Sequence, residues 1–176
     1  FRKNDLKNGG MGAPLSPIFH QLMVRKNKIN FPVCVLNLGG IANASFIYGH
    51  YPQDIISTDI GPGNCLIDEW VRKNSEKKYD RDGLLARSGK SKNIIVKKLR
   101  KNFKKIRYHK NFRKSLDIKD FDLSPVRGLS LEDGAATLTD FTAGILWFYI
   151  VFPTNKDGVD RVGLSKENLL EFGLQK

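Results

Sequence analysis

Two short segments of this chain combine residue types that could do chemistry. The first, Asn37-Leu38-Gly39-Gly40-Ile41-Ala42-Asn43, sets a glycine pair between apolar stretches. Glycines at such a bend let main-chain N–H groups approach an anion without Cβ interference, and a phosphate is the obvious guest. A plain tight turn is the simpler account of the same pair. The second segment, Asp59-Ile60-Gly61-Pro62-Gly63-Asn64, follows an extended, partly apolar run. A carboxylate before a Gly-Pro-Gly turn, at the C-terminal end of a strand, can stand clear of other side chains. It can then take a proton from water or a hydroxyl, with Asn64 free to hydrogen-bond a substrate. The plainer alternative has Asp59 accepting from the N–H groups of its own turn.

Other candidates are weaker. His20, His50 and His109 are far apart and lack partners at ligand spacing, so no metal is expected. Cys34 lies in the apolar run Val33-Cys34-Val35-Leu36 and reads as a small core residue. Cys65, just after the Gly/Pro loop, could be exposed but has no neighbour suited to activating a nucleophile. No G-x-S-x-G or Walker-type loop is present.

The elements that must position the two segments follow from pattern. Val33 to Leu38 is nearly continuous in apolar character and predicts a central strand, and Ala42 to Tyr48 resumes extended character. Strand, Gly-Gly, strand is a hairpin. Asp54 to Thr58 predicts a third strand, and 59–64 a loop with no regular structure. Ahead of the hairpin, Pro14 to about Arg25 predicts a helix with Leu15, Ile18, Phe19 and Leu22 as its apolar stripe. Beyond the loop, helices are expected from Leu66 to about Asn74, over Leu84 to Ser88, and over Asn93 to Ile106. The last carries Ile95, Leu99, Phe103 and Ile106 on one face. Ser130-Leu131-Glu132-Asp133 opens a final helix. The run Ala143 to Phe152 is helix or strand, and is too short for the roughly 20 residues that span a bilayer.

Charge is concentrated. The chain's 176 residues include 30 Lys and Arg against 18 Asp and Glu, a net +12, and twelve of the cations fall between Lys90 and Lys114 with no acid among them. The remainder is formally neutral. Such a segment could bind nucleic-acid phosphates, but it lacks a zinc pattern, an RNA-binding signature or a zipper heptad, and a solvated helix face is the favoured reading. With 40% hydrophobic and 27% charged residues and two cysteines, composition excludes disorder, collagen and a disulfide scaffold. No secretory signal is visible, and a reducing cytoplasm is the default compartment. The chain opens at Phe1 and runs into charged residues, which reads as the interior of a longer protein.

Several motifs, in order, resemble the anhydro-N-acetylmuramic acid kinase family. They are Gly9-Gly10-Met11-Gly12-Ala13-Pro14-Leu15-Ser16-Pro17-Ile18-Phe19-His20, the diglycine segment and the Asp59 segment. Tyr79-Asp80-Arg81-Asp82-Gly83, Lys114-Ser115-Leu116-Asp117 and the stretch Glu132 to Ala143 look like later family segments, so the likeness covers about residues 1–143. The resemblance implies an α/β chain: part of an actin/hexokinase-like (ribonuclease H-like) ATPase fold, with a mixed sheet and flanking helices. Residues 1–32 would come from the lobe junction, 33–152 would form an α/β lobe, and 153–176 a divergent tail. It implies a cytoplasmic kinase, compatible with a homodimer and free of membrane or nucleic-acid partners, that uses ATP and Mg²⁺ on a small amino sugar. Asp59 would be the general base, Asn37, Gly39 and Gly40 would face the nucleotide, and Gly61, Gly63 and Asn64 would line the sugar site. The family's Gly-Thr-Ser-Leu-Asp-Gly turn and its Cys-Gly-Gly-Gly motif have no counterpart here, so a partial nucleotide pocket is expected.

Overall fold

The hairpin forms where apolar alternation and the glycine pair require it. In the computed structural model, which describes residues 2–8, 16–109 and 115–151, β1 (Val33–Leu38) pairs antiparallel with β2 (Ile41–Ile47), and Leu38 lies opposite Ala42. A third strand, β3 (Ile55–Pro62), pairs antiparallel with β2, giving the order β1-β2-β3. The resemblance implied a mixed sheet; the described strands all run antiparallel. The expected loop at 59–64 is corrected, because β3 continues through Asp59, Ile60 and Gly61 to Pro62. Pro62 is tolerated because β3 is an edge strand in the described sheet, where a missing N–H donor need not break a ladder.

The described helices are α1 (Arg2–Lys7), α2 (Pro17–Lys26), α3 (Cys65–Asn74), α4 (Leu84–Ser88), α5 (Asn93–His109) and α6 (Leu131–Val151), of which α2 and α6 pack on the sheet. The Gly9 to Leu15 part of the first family-like motif, including Leu15 of the expected α2 stripe, Lys114 of the later motif and the 153–176 tail lie outside the described residues. The ambiguous apolar run is helical as far as Val151, as the last part of α6. No helix among the described residues is long and apolar enough to cross a membrane.

The core has two parts. Leu66, Trp70 and Val71 of α3, Val96, Leu99 and Phe103 of α5, and Leu138, Phe141 and Ile145 of α6 pack together, joined by Leu116 and Val126. The inward face of α5 is therefore the predicted one. A smaller cluster of Ala42, Ala44, Phe46 and Ile60 packs one sheet face against Leu146, Tyr149 and Ile150.

The α2 stripe is a correction. Ile18, Phe19 and Leu22 are exposed, at 60%, 61% and 53%, while Gln21 and Val24 are buried. The sheet surface that receives α2 is polar, and polar groups dock there. His20 Nδ1 and Ser57 Oγ lie 2.9 and 2.7 Å from the buried Ser45 Oγ. Gln21 Nε2 donates to the carbonyls of Gly49 and Tyr51, which ties the helix to the turn before β3. Buried polar groups need such partners, so they override the apolar spacing.

Candidate active site

The two chemistry-bearing segments meet. Gly63 N–H donates to Gly40 O at 2.9 Å, Asn64 N–H to Gly39 O at 2.9 Å, and Cys65 N–H to Gly40 O at 3.1 Å. The diglycine carbonyls thereby accept from the turn residue Gly63, the α3 N-cap Asn64 and the first helical residue Cys65, the last two being amides that no intrahelical carbonyl can reach. This weld dictates a glycine at 63: a Cβ there would lie 2.0 Å from Gly39 O. Gly61 is equally constrained, since its Cβ would lie 2.6 Å from Ile145 Cγ2 on α6. Both glycines are buried and serve packing within the chain.

Gly39 and Gly40 differ. A Cβ on Gly39 would come no closer than 3.7 Å to another atom, and one on Gly40 no closer than 3.9 Å, both ordinary contacts. Neither has positive φ. Among the described residues, no neighbour demands these two glycines. A methyl group would be accommodated at either position, so packing against the described residues does not by itself call for glycine at this bend.

Register places the polar residues. Asn37 lies opposite Asn43, and Asn43 opposite Asp59, so the three project from one sheet face in a row. Ile60 has no partner in β2; Ala42 pairs with Gly61 and Asn43 with Asp59, a one-residue bulge immediately after the acid. Ile60 follows Ile56 and Thr58 at the strand's two-residue period and joins the core cluster, while Asp59 lies on the opposite face. Asp59 is not the free-standing carboxylate of a surface loop: it is 8% exposed. Nor does it cap its own turn. Its Oδ2 accepts from the main-chain N–H of Leu116, 57 residues away, at 2.9 Å. Among the described residues, none donates to Oδ1. Asn37 and Asn64 are exposed at the rim of this sheet end.

Cys65 is buried rather than exposed, and burial pushes its thiol up to about 11; Cys34, half-buried, is pushed to about 11 for the same reason. Neither is a thiolate near neutrality. Among the described residues no group of three His, Cys, Asp or Glu side chains could hold a metal ion. The cationic residues of α5, Lys97, Lys98, Lys101, Lys104 and Lys105, lie on its exposed face, and no finding supports the nucleic-acid alternative raised by this segment.

Sequence reasoning located Asp59 and the diglycine bend but missed two neighbours. Asn43 was findable, since folding a symmetric hairpin about Gly40 sets it opposite Asn37. Leu116 carries no local signal, because its contribution is a main-chain N–H delivered from a distant segment.

A family model for anhydro-N-acetylmuramic acid kinase matches residues 1–145. The anhydro-N-acetylmuramic acid kinase of Pelagibacter ubique (strain HTCC1062) is 50% identical over 157 residues, covering 89% of this chain and 41% of the relative. Those of Zymomonas mobilis and Rhodospirillum rubrum are each 43% identical, over 145 and 146 residues; they cover 81% of this chain and 38% and 36% of the relatives. The chain thus spans about two fifths of the length of the curated relatives it matches. With its motifs in order, its α/β architecture and a family match over most of its length, the chain belongs to the anhydro-N-acetylmuramic acid kinase family.

Proposed function

We propose that this chain supplies the water-activating acid and part of the phosphate-facing surface of an ATP-dependent kinase. The kinase opens 1,6-anhydro-N-acetylmuramic acid and phosphorylates it at the 6-position. The observation that carries the reading is the weld between the diglycine bend and the Gly63 turn. It fixes a bend at whose glycines an added Cβ would meet no described atom closer than 3.7 Å, at the same sheet end as an aspartate with one oxygen to which no described residue donates.

Ring opening needs an activated water. Asp59 Oδ1 takes a proton from water as the water oxygen bonds to the anomeric carbon, and the bond from that carbon to the bridging 6-oxygen breaks. The released 6-oxygen then bonds to the γ-phosphorus of ATP as the bond from that phosphorus to the bridging oxygen breaks and ADP leaves; a bound Mg²⁺ would supply counter-charge. The chain's own part is positioning: Gly39 and Gly40 leave room for the phosphates, Asn37 and Asn64 offer amide groups at the rim, and Gly61 and Gly63 shape the turn that links them. A small amino sugar is the partner this arrangement fits.

The test replaces the matching segment of the Pelagibacter ubique relative with this chain and measures ATP-dependent phosphorylation of the anhydro sugar. The exchanged protein should turn over, and Asp59→Asn in it should lower kcat about 10²- to 10⁴-fold, the usual range for losing a general base. Unchanged turnover in the variant would remove Asp59 from the mechanism.

A further inference from the structure

We infer that the main-chain N–H of Leu116 is a positioning group for the Asp59 carboxylate, holding Oδ2 so that Oδ1 alone is offered to the reactant. The inference rests on the reading of Asp59 as the base and extends it to a group that acts through that residue.

Three observations carry it. First, the bond is buried at both ends: Asp59 is 8% exposed, Leu116 is 7% exposed, and the separation is 2.9 Å. A carboxylate so placed needs a donor, and Leu116 supplies the one found among the described residues. Second, a carboxylate's terminal torsion is broad and nearly two-fold, so the strand alone does not choose which oxygen faces outward. The bulge at Ile60 interrupts the ladder beside the acid and loosens that choice further. A single fixed donor resolves it.

Third, the donor is held firmly. The Leu116 side chain is seated in the core cluster shared by α3, α5 and α6. The next residue is locked from both sides: Asp117 N–H donates to Asp120 Oδ2 at 2.6 Å, and Asp117 Oδ1 accepts from Lys119 N–H at 3.0 Å. The amide therefore cannot drift from the acid without moving a buried leucine and a closed 3₁₀ turn. The Lys114-Ser115-Leu116-Asp117 segment, which neither the sheet nor the diglycine bend accounts for, acquires a role in this way.

The experiment replaces Leu116 by its α-hydroxy analogue in the exchanged kinase, which converts the N–H to an ester oxygen and keeps the side chain. Loss of one hydrogen bond to a charged group should lower kcat about 10- to 100-fold. The KM values for ATP and sugar should hold, and Leu116→Ile, which keeps the N–H, should retain kcat. An unchanged kcat would overturn the inference. So would a rise in both KM values together with a lowered melting temperature, because that pattern marks general loosening. If Asp59→Asn stays active, the proposed function fails; if Asp59→Asn is dead and the ester fully active, this inference alone fails. A measurement on the chain itself guards against failed folding. Hydrogen exchange of the Leu116 amide should accelerate at least about 10-fold in Asp59→Ala while neighbouring core amides stay protected. Equal exchange in both proteins would also overturn it.

Discussion

Replacing Gly63 by alanine tests the weld on which the site depends. The new Cβ would lie 2.0 Å from Gly39 O, some 1.4 Å inside the 3.4 Å at which ordinary contact begins, with Gly39 C at 3.0 Å and Gly40 O at 3.3 Å. The obstructing atoms are main chain, so no side-chain rotation relieves the clash, and the bend and the turn must separate. Separation breaks up to three main-chain hydrogen bonds, worth about 1 kcal/mol each net, hence about 3 kcal/mol in all. For a domain of this size that is a melting-temperature loss of roughly 6–12 °C. Gly39→Ala is the matched control: its Cβ meets nothing closer than 3.7 Å, and its φ is not positive. Its stability should stay within about 1 kcal/mol, helped by reduced freedom of the unfolded chain. Thermal melts of both variants, with urea titrations, decide the matter. If Gly63→Ala melts within about 2 °C of Gly39→Ala, the weld does not hold the site together. In the exchanged kinase the order should reverse in one respect: Gly39→Ala, though stable, should raise the KM for ATP by filling the space beside the bend.

Two other glycines form a second contrast, read by melting. A Cβ on Gly134 would sit 2.2 Å from the buried Trp70 ring, whose Nε1 is already committed to Leu131 O, so Gly134→Ala should destabilise by about 2 kcal/mol or more. On Gly144 the obstruction is the flexible end of Arg100, so Gly144→Ala should be neutral or stabilising by up to about 1 kcal/mol through helix propensity. Both thiols are raised to about 11 by burial, so a disulfide reagent near neutral pH should label Cys34 and Cys65 slowly until denaturant is added. Asp133 is held below the usual carboxylate range by Lys92, with help from the Lys90 N–H. A depressed carboxylate stabilises the fold above its unfolded value and loses that effect as pH falls through its folded value. The melting difference between the protein and Lys92→Ala should therefore be present near neutral pH and shrink as pH falls below the ordinary carboxylate range.

How much of this was legible in the sequence depends on whether the deciding interaction is local. The hairpin was, because apolar alternation and a glycine pair act over adjacent residues, and so were α3, α4, α5 and the first half of α6, whose apolar end could be read as helix or strand. Pattern failed at β3 because Gly61, Pro62 and Gly63 are ordinarily loop residues. Here two of them are demanded by Ile145 on α6 and by the diglycine carbonyls, partners that spacing does not reveal. It failed at α2 for a related reason: spacing names an apolar stripe, but the receiving surface carries Ser45 and Ser57, and so takes His20 and Gln21 instead.

The glycines separate two kinds of demand that a motif merges. Gly61 and Gly63 are required by atoms of the chain itself, so their presence is explained once folding is explained. Gly39 and Gly40 carry the same entropic penalty of glycine in ordered backbone but meet neither a close neighbour nor a left-handed conformation. Packing against the described residues does not account for this pair, which is consistent with the proposed role of the bend in facing phosphate. The same logic applies to Asp59. One oxygen answers to Leu116 and is accounted for by the fold, whereas the other answers to no described residue at a site where the polar side chains of Asn37 and Asn43 share its face. Where the chain's own needs stop, at the open side of the bend and at Oδ1, is where substrate should begin.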